Sequence, residues 1–345
     1  MGHEYYDGTK LLSLNDINGN KPELYLITTN RTGGKTTYFS RLCVNRFLRD
    51  GEKFALIYRY KYELDNCADM FFKDIKGLFF KDHEMTSRSF AKGIYHALYL
   101  DDKECGYAFS LNSADQLKKH SHEFNDVKRM MFDEFQPESN RYLPNEVDKL
   151  ISLHTSVARG QGEFVRYVPV YMISNPVTIL NPYYVELGIT DRLSDQTRFL
   201  RGDGFILEQG FIEGAAEAQR NSAFNKAFSG NKYIAYSAES VYLNDSKVFI
   251  EVPEGKNRYI GTIKYKDNHY GIREYPDLGI VYCDNRPDMT FPLKITVTLE
   301  DHNVNYVMLR TNEFFVSTLR YYFEHGCFRF KDLRSKEAVL NLLKF

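Results

Sequence analysis

The sequence predicts an α/β fold: a P-loop nucleotide-binding domain on a mostly parallel sheet, followed by a smaller α+β domain. Three observations lead there. An apolar run at residues 23–28 (ELYLIT) enters the turn Thr29-Asn30-Arg31-Thr32-Gly33-Gly34, and a helical pattern then opens with Lys35-Thr36-Thr37. A second apolar run, residues 129–132, ends in two adjacent carboxylates, Asp133 and Glu134. Beyond residue 245 the chain changes to closely spaced short runs of strand type. Strand, glycine loop, helix and strand make the opening unit of an α/β nucleotide-binding domain.

Taken in order, residues 23–28 are a buried strand. Residues 35–49 are a helix, by the spacing of Phe39, Leu42, Cys43, Phe47 and Leu48 and the stop at Asp50-Gly51. Residues 53–60 are the second strand. Residues 69–123 are less regular, with a hairpin of 93–100 and 105–111 around Asp101-Asp102-Lys103, then a polar segment holding Lys118-Lys119-His120. After the 129–132 strand, Pro144 suits the first turn of a helix reaching about Arg159. Residues 166–174 form a further strand, ending at Asn175-Pro176. Residues 210–244 turn small and polar and predict a helical linker. Strands follow at 247–252, 258–265, 269–275, 279–283 and 294–299, with helices at 313–325 and 336–343. The predicted domains are 1–209, a linker over 210–245, and 246–345.

Composition removes several classes of function. The chain has 345 residues, 43% hydrophobic and 26% charged, so it buries a full core without staples. Its five cysteines (Cys43, Cys67, Cys105, Cys283, Cys327) are scattered without a CxxC pair, which argues against zinc sites and disulfide frameworks. No apolar run approaches the ~20 residues of a membrane span. The start lacks the apolar segment of a secretory leader, so a cytosolic location is expected. The net charge of -1 runs against a static DNA-binding protein, which is usually basic. A protein that grips and releases DNA in cycles needs only local contacts.

The chemistry concentrates at a few positions. A phosphate-binding loop needs small residues around backbone N–H groups, a lysine for the terminal phosphates, and a hydroxyl for Mg²⁺. Gly34, Lys35 and Thr36 fill those roles within Thr29–Thr37, and the following helix points its positive end at the anion. Alone, GGKT is as compatible with a surface turn; the flanking strand and helix favour a nucleotide. Asp133 at a strand end can hold Mg²⁺ and Glu134 can act as general base, where a lone Asp-Glu pair is commonly a solvated turn. Ser174-Asn175 ends the next strand, where a polar side chain can sense a γ-phosphate. Arg159, at the end of the Pro144 helix, reads from spacing alone as a charge that complements the helix dipole. Lys118 and Lys119 suit a basic loop on DNA phosphates, although a solvated face is the commoner fate of such a run.

A set of short strings then falls in a familiar order. Asn45-Arg46-Phe47, Tyr60-Lys61-Tyr62-Glu63-Leu64, Phe132-Asp133-Glu134-Phe135, Tyr142-Leu143-Pro144-Asn145-Glu146-Val147, Ser174-Asn175, Asn181-Pro182-Tyr183 and Val248-Phe249-Ile250-Glu251 resemble, collinearly, the DNA-packaging ATPases of phi29-like phages. The resemblance implies an ASCE-type ATPase of the FtsK–HerA group using ATP and Mg²⁺. It implies a pentameric homo-oligomeric ring at the portal vertex of a procapsid, with double-stranded DNA and the portal (connector) protein as partners. Some members also use a packaging RNA. The site of action would be the host cytoplasm, transiently on the procapsid and not in the mature virion. Lys35 falls on the family's Walker A lysine, Asp133 and Glu134 on its Walker B pair, and Arg159 on its trans-acting arginine finger. The C-terminal domain would be a small RNase H-like relic of a nuclease that interacts with nucleic acid or portal. Its Asp284, Asp288 and Asp301 make no two-metal cluster, so no cleavage is expected. The family pattern has glycine where this chain has Thr29 and Thr32. Two other readings share the site: a cellular translocase or helicase of the same group, and a non-catalytic nucleotide-binding assembly factor.

Overall fold

The computed structural model describes residues 5–160, 164–179, 181–193, 197–228, 249–309, 313–324 and 327–343. The chain divides into two compact units. The first is Met1–Pro137, Glu146–Pro176 and Leu193–Val241; the second is Glu138–Asn145, Val177–Arg192 and Tyr242–Phe345.

The first unit carries a nine-stranded sheet of β1 (Leu24–Thr28), β2 (Lys53–Tyr58), β3 (Met85–Phe90), β4 (Tyr95–Leu100), β5 (Lys103–Ser110), β6 (Val127–Asp133), β7 (Val170–Ser174), β8 (Phe199–Arg201) and β9 (Phe205–Gln209). Their order is β3-β4-β5-β2-β6-β7-β1-β9-β8. The middle of the sheet, from β5 to β9, is parallel, and antiparallel pairings occur only toward the edges. Parallel strands covered on both faces read as continuous apolar runs, which is why β1 and β7 were legible as buried strands. β7 lies between β1 and β6, in register with both, so Thr28, Ser174 and Asp133 meet at one edge of the sheet.

Helices of this unit are α1 (Thr9–Ser13), α2 (Lys35–Asp50), α3 (Cys67–Phe79), α4 (Ala114–Leu117) and α5 (Glu146–Val157). α2 buries Phe39, Cys43 and Val44 and ends on Gly51 in the left-handed conformation, whose N–H donates to the carbonyls of Arg46 and Phe47. The α5 helix starts two residues after Pro144, because Asn145 takes a left-handed φ of 55° and the helix nucleates at Glu146. β7 begins at Val170 rather than at 166, directly after Pro169, which has no N–H for a ladder. β2 stops at Tyr58, and the Tyr60 N–H is taken by Glu63 Oε2 at 2.6 Å. Lys118–Phe124 forms a short 3₁₀ helix, not an open basic loop. α3, β3, β8 and β9 fill stretches for which no element was predicted. The predicted linker begins as two short helices, α7 (Glu213–Asn221) and α8 (Ala223–Ala227), and residues 229–248 lie outside the described residues.

The second unit contains α6 (Pro182–Glu186) and a five-stranded sheet in the order β13-β10-β11-β12-β14. The strands are β10 (Arg258–Tyr265), β11 (Asn268–Tyr275), β12 (Ile280–Asp284), β13 (Lys294–Thr296) and β14 (Phe328–Phe330). β10, β11 and β12 form an antiparallel meander, with β13 and β14 parallel to their neighbours at its two edges. Helices α9 (Phe314–Glu324) and α10 (Leu333–Leu343) complete it, and Ile263, Ile272, Val281, Val316, Phe330 and Val339 pack as its core. Residues 249–252 contribute an isolated bridge, Phe249 to Phe330, in place of the predicted strand. No described helix is long and apolar enough to cross a membrane.

Candidate functional site

The loop between β1 and α2 wraps the N-terminus of α2. Thr29 and Asn30 are fully buried, and the left-handed backbone falls on Thr32 (φ 59°) and on Gly34 (φ 88°), the N-cap of α2. Lys35 is buried at the first position of that helix. Its Nζ donates to Asn175 Oδ1 at 2.7 Å and to the Thr29 carbonyl at 3.5 Å. Burial depresses its pKa to about 8; Asp133 and Glu134 pull the other way, and the Arg31 guanidinium adds to the depression.

Asp133 ends β6 beside α2. Burial pushes its carboxyl above the ordinary range, opposed by the Lys35 charge and by a hydrogen bond from the Thr36 hydroxyl. Glu134 follows in a left-handed turn (φ 56°) with its side chain exposed, and its N–H donates to Asp133 Oδ1 at 2.9 Å. Such a backbone persists only when neighbours hold it. In front of this turn lies a cavity of about 320 Å³, lined by Thr36, Thr37, Arg59, Glu63, Asp133 and Glu134 among others.

Two predicted sensors take different places. Asn175 is in the site, holding the lysine. Ser174 Oγ is buried with no hydrogen-bond partner among the described residues. The Lys35–Asn175 and Thr36–Asp133 interactions thus tie the ends of β7 and β6 to the start of α2.

The sequence reading missed Arg59, which supports this turn. It follows β2, is 6% exposed, and pairs with the fully buried Glu146 at 2.8 and 2.9 Å. Its other donors reach the carbonyls of Glu134 at 3.2 Å and Phe135 at 3.1 Å. The available signal was a single charge directly after an apolar parallel strand.

Arg159 follows the C-terminus of α5 in an isolated bridge with Val165, and its side chain is exposed. The chain there is fixed by Arg166, also missed. Its guanidinium donates to the carbonyls of Val157 (2.5 Å), Val127 (2.9 Å), Phe124 (3.3 Å) and Arg159 (3.3 Å). Lys118 and Lys119 are exposed, and Lys118 is paired with Asp115 at 3.1 Å.

The donor set fits Mg²⁺ carried on a nucleotide. Mg²⁺ bound in this way takes one or two protein oxygens and completes its shell with phosphates and water. Thr36 and Asp133, which line the same cavity, are such a pair. Among the described residues no cluster of three or more His, Cys, Asp or Glu could hold a metal unaided.

Comparison with known proteins points the same way. The family model described as podovirus DNA encapsidation protein (Gp16) matches residues 2–344. The DNA packaging protein of Bacillus phage phi29 is 28% identical over 344 residues, spanning 99% of this chain and 97% of that protein. That of Bacillus phage B103 is 28% identical over 270 residues, 78% of this chain and 79% of that protein. Among solved structures, a chain of the bacteriophage Phi-29 viral genome packaging motor assembly matches with a TM-score of 0.54 at 26% identity, covering 98% of this chain and 97% of that one. The Phi-28 gp11 DNA packaging motor shares the fold, with a TM-score of 0.61 at 16% identity over 100% of this chain and 99% of that one.

Proposed function

The chain belongs to the podovirus DNA encapsidation protein (Gp16) family, and from that premise we propose how it drives packaging. It hydrolyses ATP and uses the energy to move double-stranded phage DNA into a procapsid, as one subunit of a homo-oligomeric ring on the portal. The host cytoplasm is where it does so.

The loop N–H groups and Lys35 take the β- and γ-phosphates, and Lys35 leaves Asn175 to do so. Thr36 and Asp133 hold Mg²⁺, which when bound neutralises charge on the phosphate oxygens. Glu134 accepts the proton of the attacking water, from an exposed position facing the cavity. Asn175, released from Lys35, is left within reach of the γ-phosphate. Arg159 serves a neighbouring subunit, and Lys118 and Lys119 contact the DNA backbone.

Residues 246–345 act as a non-cleaving, RNase H-like domain that faces nucleic acid or portal, with 210–245 as linker to the 1–209 motor. Two of its three candidate carboxylates are paired with cations, Asp284 with Arg273 and Asp301 with Lys264, which supports the absence of cleavage.

The observation that carries this reading is the convergence of Lys35, Asn175, Thr36 and Asp133. The test is ATP turnover with and without double-stranded DNA. Lys35→Ala should abolish turnover and weaken ATP binding. Glu134→Gln should bind ATP and leave it unhydrolysed. A parent protein that binds ATP but never turns it over on DNA is an assembly factor. Stimulation by DNA without binding to a portal–procapsid complex would indicate a cellular-type translocase instead.

A further inference from the structure

Thr29 stands where the general phosphate-loop pattern has its first glycine, and Thr32 adopts a backbone that suits glycine. Thr32 holds φ 59°, a conformation that a β-branched side chain resists. The loop's own sequence does not favour this shape, so something outside it must.

The contacts come from the segment that opens the linker. The Asn30 side chain uses both ends of its amide on one residue: Nδ2 donates to the Ile212 carbonyl at 3.0 Å, and Oδ1 accepts from the Ile212 N–H at 2.9 Å. Ile212 is the N-cap of α7. About two turns further along α7, Gln219 Nε2 donates to Thr32 Oγ1 at 3.1 Å. Gly210 donates its N–H to the Thr28 carbonyl at 2.7 Å. Approach is close enough that a Cβ on Gly33 would lie 2.9 Å from Ile212 Cγ1, and one on Gly210 2.9 Å from Thr29 Cγ2. The loop is therefore lined along one side by residues 210–219.

We propose that Asn30 and Gln219 are positioning residues that hold the loop in this strained shape, and that nucleotide binding is thereby coupled to α7. The inference rests on the reading of residues 29–36 as the phosphate cradle. Without the two side chains, the loop visits shapes that cannot close on a phosphate, and apparent affinity falls with the competent fraction. By the same linkage a bound nucleotide holds α7 in place. α7 is the start of the predicted connection between the domains, so it can carry nucleotide state along the chain.

The experiment uses the full chain with MgADP, combining titration calorimetry with amide hydrogen exchange on α7. Gln219 is only partly buried, so Gln219→Ala should fold, and it should weaken binding roughly threefold. Asn30→Ala removes two hydrogen bonds and should weaken it roughly tenfold. Thr32→Gly loses the Gln219 contact but relieves the strained backbone. It should therefore tighten binding, by roughly two- to fivefold, and Gln219→Ala should cost nothing further in that background. Saturating MgADP should slow exchange in α7 of the parent and do so less in Asn30→Ala.

Three results would overturn the inference: parental affinity in both Asn30→Ala and Gln219→Ala, α7 exchange indifferent to MgADP, or Thr32→Gly weakening binding as Gln219→Ala does. Lys35→Ala separates the two levels. If it binds MgADP normally, the cradle reading itself fails; if it loses binding while the Asn30 and Gln219 variants do not, only the coupling fails.

Discussion

Lys35 is a cation kept in a dry place with an amide oxygen for company. A pKa depressed from 10.5 to about 8 corresponds to a penalty of roughly 3 kcal/mol on the charged form. On the proposed reading, triphosphate oxygens would reverse that penalty, so the charged lysine would be stabilised by its ligand more than by its own fold. This makes nucleotide affinity depend on pH. In the free protein Lys35 is protonated below about pH 8, and the phosphates bind only the protonated form. Affinity for MgADP should be flat from pH 6.5 to about 8. Above that it should fall, by up to tenfold per pH unit, because binding must first take up a proton. Titrations across pH 6.5–9.5 measure this, and Lys35→Arg supplies the control, since a guanidinium stays charged throughout. A break near pH 8 that survives in Lys35→Arg would assign it to another group. The same residue shows what a sequence can carry. Lys35, Thr36, Asp133 and Glu134 stand out in the sequence because each proposed role demands one side-chain chemistry at one place relative to a strand end. Ser174 and Asn175 were predicted as a pair, but only Asn175 reaches the lysine, since adjacent residues at a strand end point in opposite directions.

Elements set the precision of the site, and here the sequence was less informative. β1, α2, β6 and β7 announce themselves through burial and periodicity. α3 carried its pattern too, in Cys67, Ala68, Phe72 and Ile75, but its neighbours broke the window. β8 and β14 are three residues each, too short for an alternation to register. Arg59 and Arg166 could not be assigned at all, because their partners, the Glu146 carboxylate and two carbonyls for Arg59 and four carbonyls for Arg166, are brought together only by the fold. Arg59 joins the end of β2, the Glu134 turn and the start of α5 in one buried cluster. Arg59→Ala leaves the fully buried Glu146 carboxylate without this cation. Loss of one partner of a buried pair costs about 3–5 kcal/mol, so denaturant unfolding should shift by that amount. Replacing both members, as Arg59→Met with Glu146→Leu, should recover most of the stability. It should not recover hydrolysis, because Arg59 no longer donates to the carbonyls of Glu134 and Phe135 and the turn carrying the proposed base is less firmly held. If turnover returns together with stability, Arg59 acts only as a structural ion pair.

At the scale of the whole molecule, charge and assembly decide what the site can accomplish. A net charge of -1 gives DNA no overall electrostatic pull, so a grip on it rests on local contacts. Lys118 already shares its charge with Asp115, whereas Lys119 shows no such pairing among the described residues. Lys119→Ala should therefore flatten the salt dependence of DNA binding by a slope of about 0.9, and Lys118→Ala by less. An unchanged slope in the double variant would make both lysines ordinary solvated charges. Hydrolysis raises the larger question of how neighbouring sites communicate. Phosphoryl transfer spreads charge over the γ-phosphate oxygens, and a guanidinium from outside the site is worth about 10³–10⁵-fold in kcat. Arg159 is exposed beyond α5, on a segment that Arg166 fixes through four carbonyls, which suits a residue meant for another subunit. Arg159→Ala should bind ATP almost normally and hydrolyse it very slowly. Lys35→Ala subunits keep the finger but lose the site, while Arg159→Ala subunits keep the site but lose the finger. Each alone should be nearly inactive. In mixed rings an Arg159→Ala site that faces a Lys35→Ala neighbour regains every group it needs, so DNA-stimulated turnover should partly return. A ring delivering the finger in trans makes each subunit wait for the next, which orders firing around the DNA. If mixed assembly is verified and turnover stays at baseline at every ratio, Arg159 is a helix-end charge or a group acting within its own subunit.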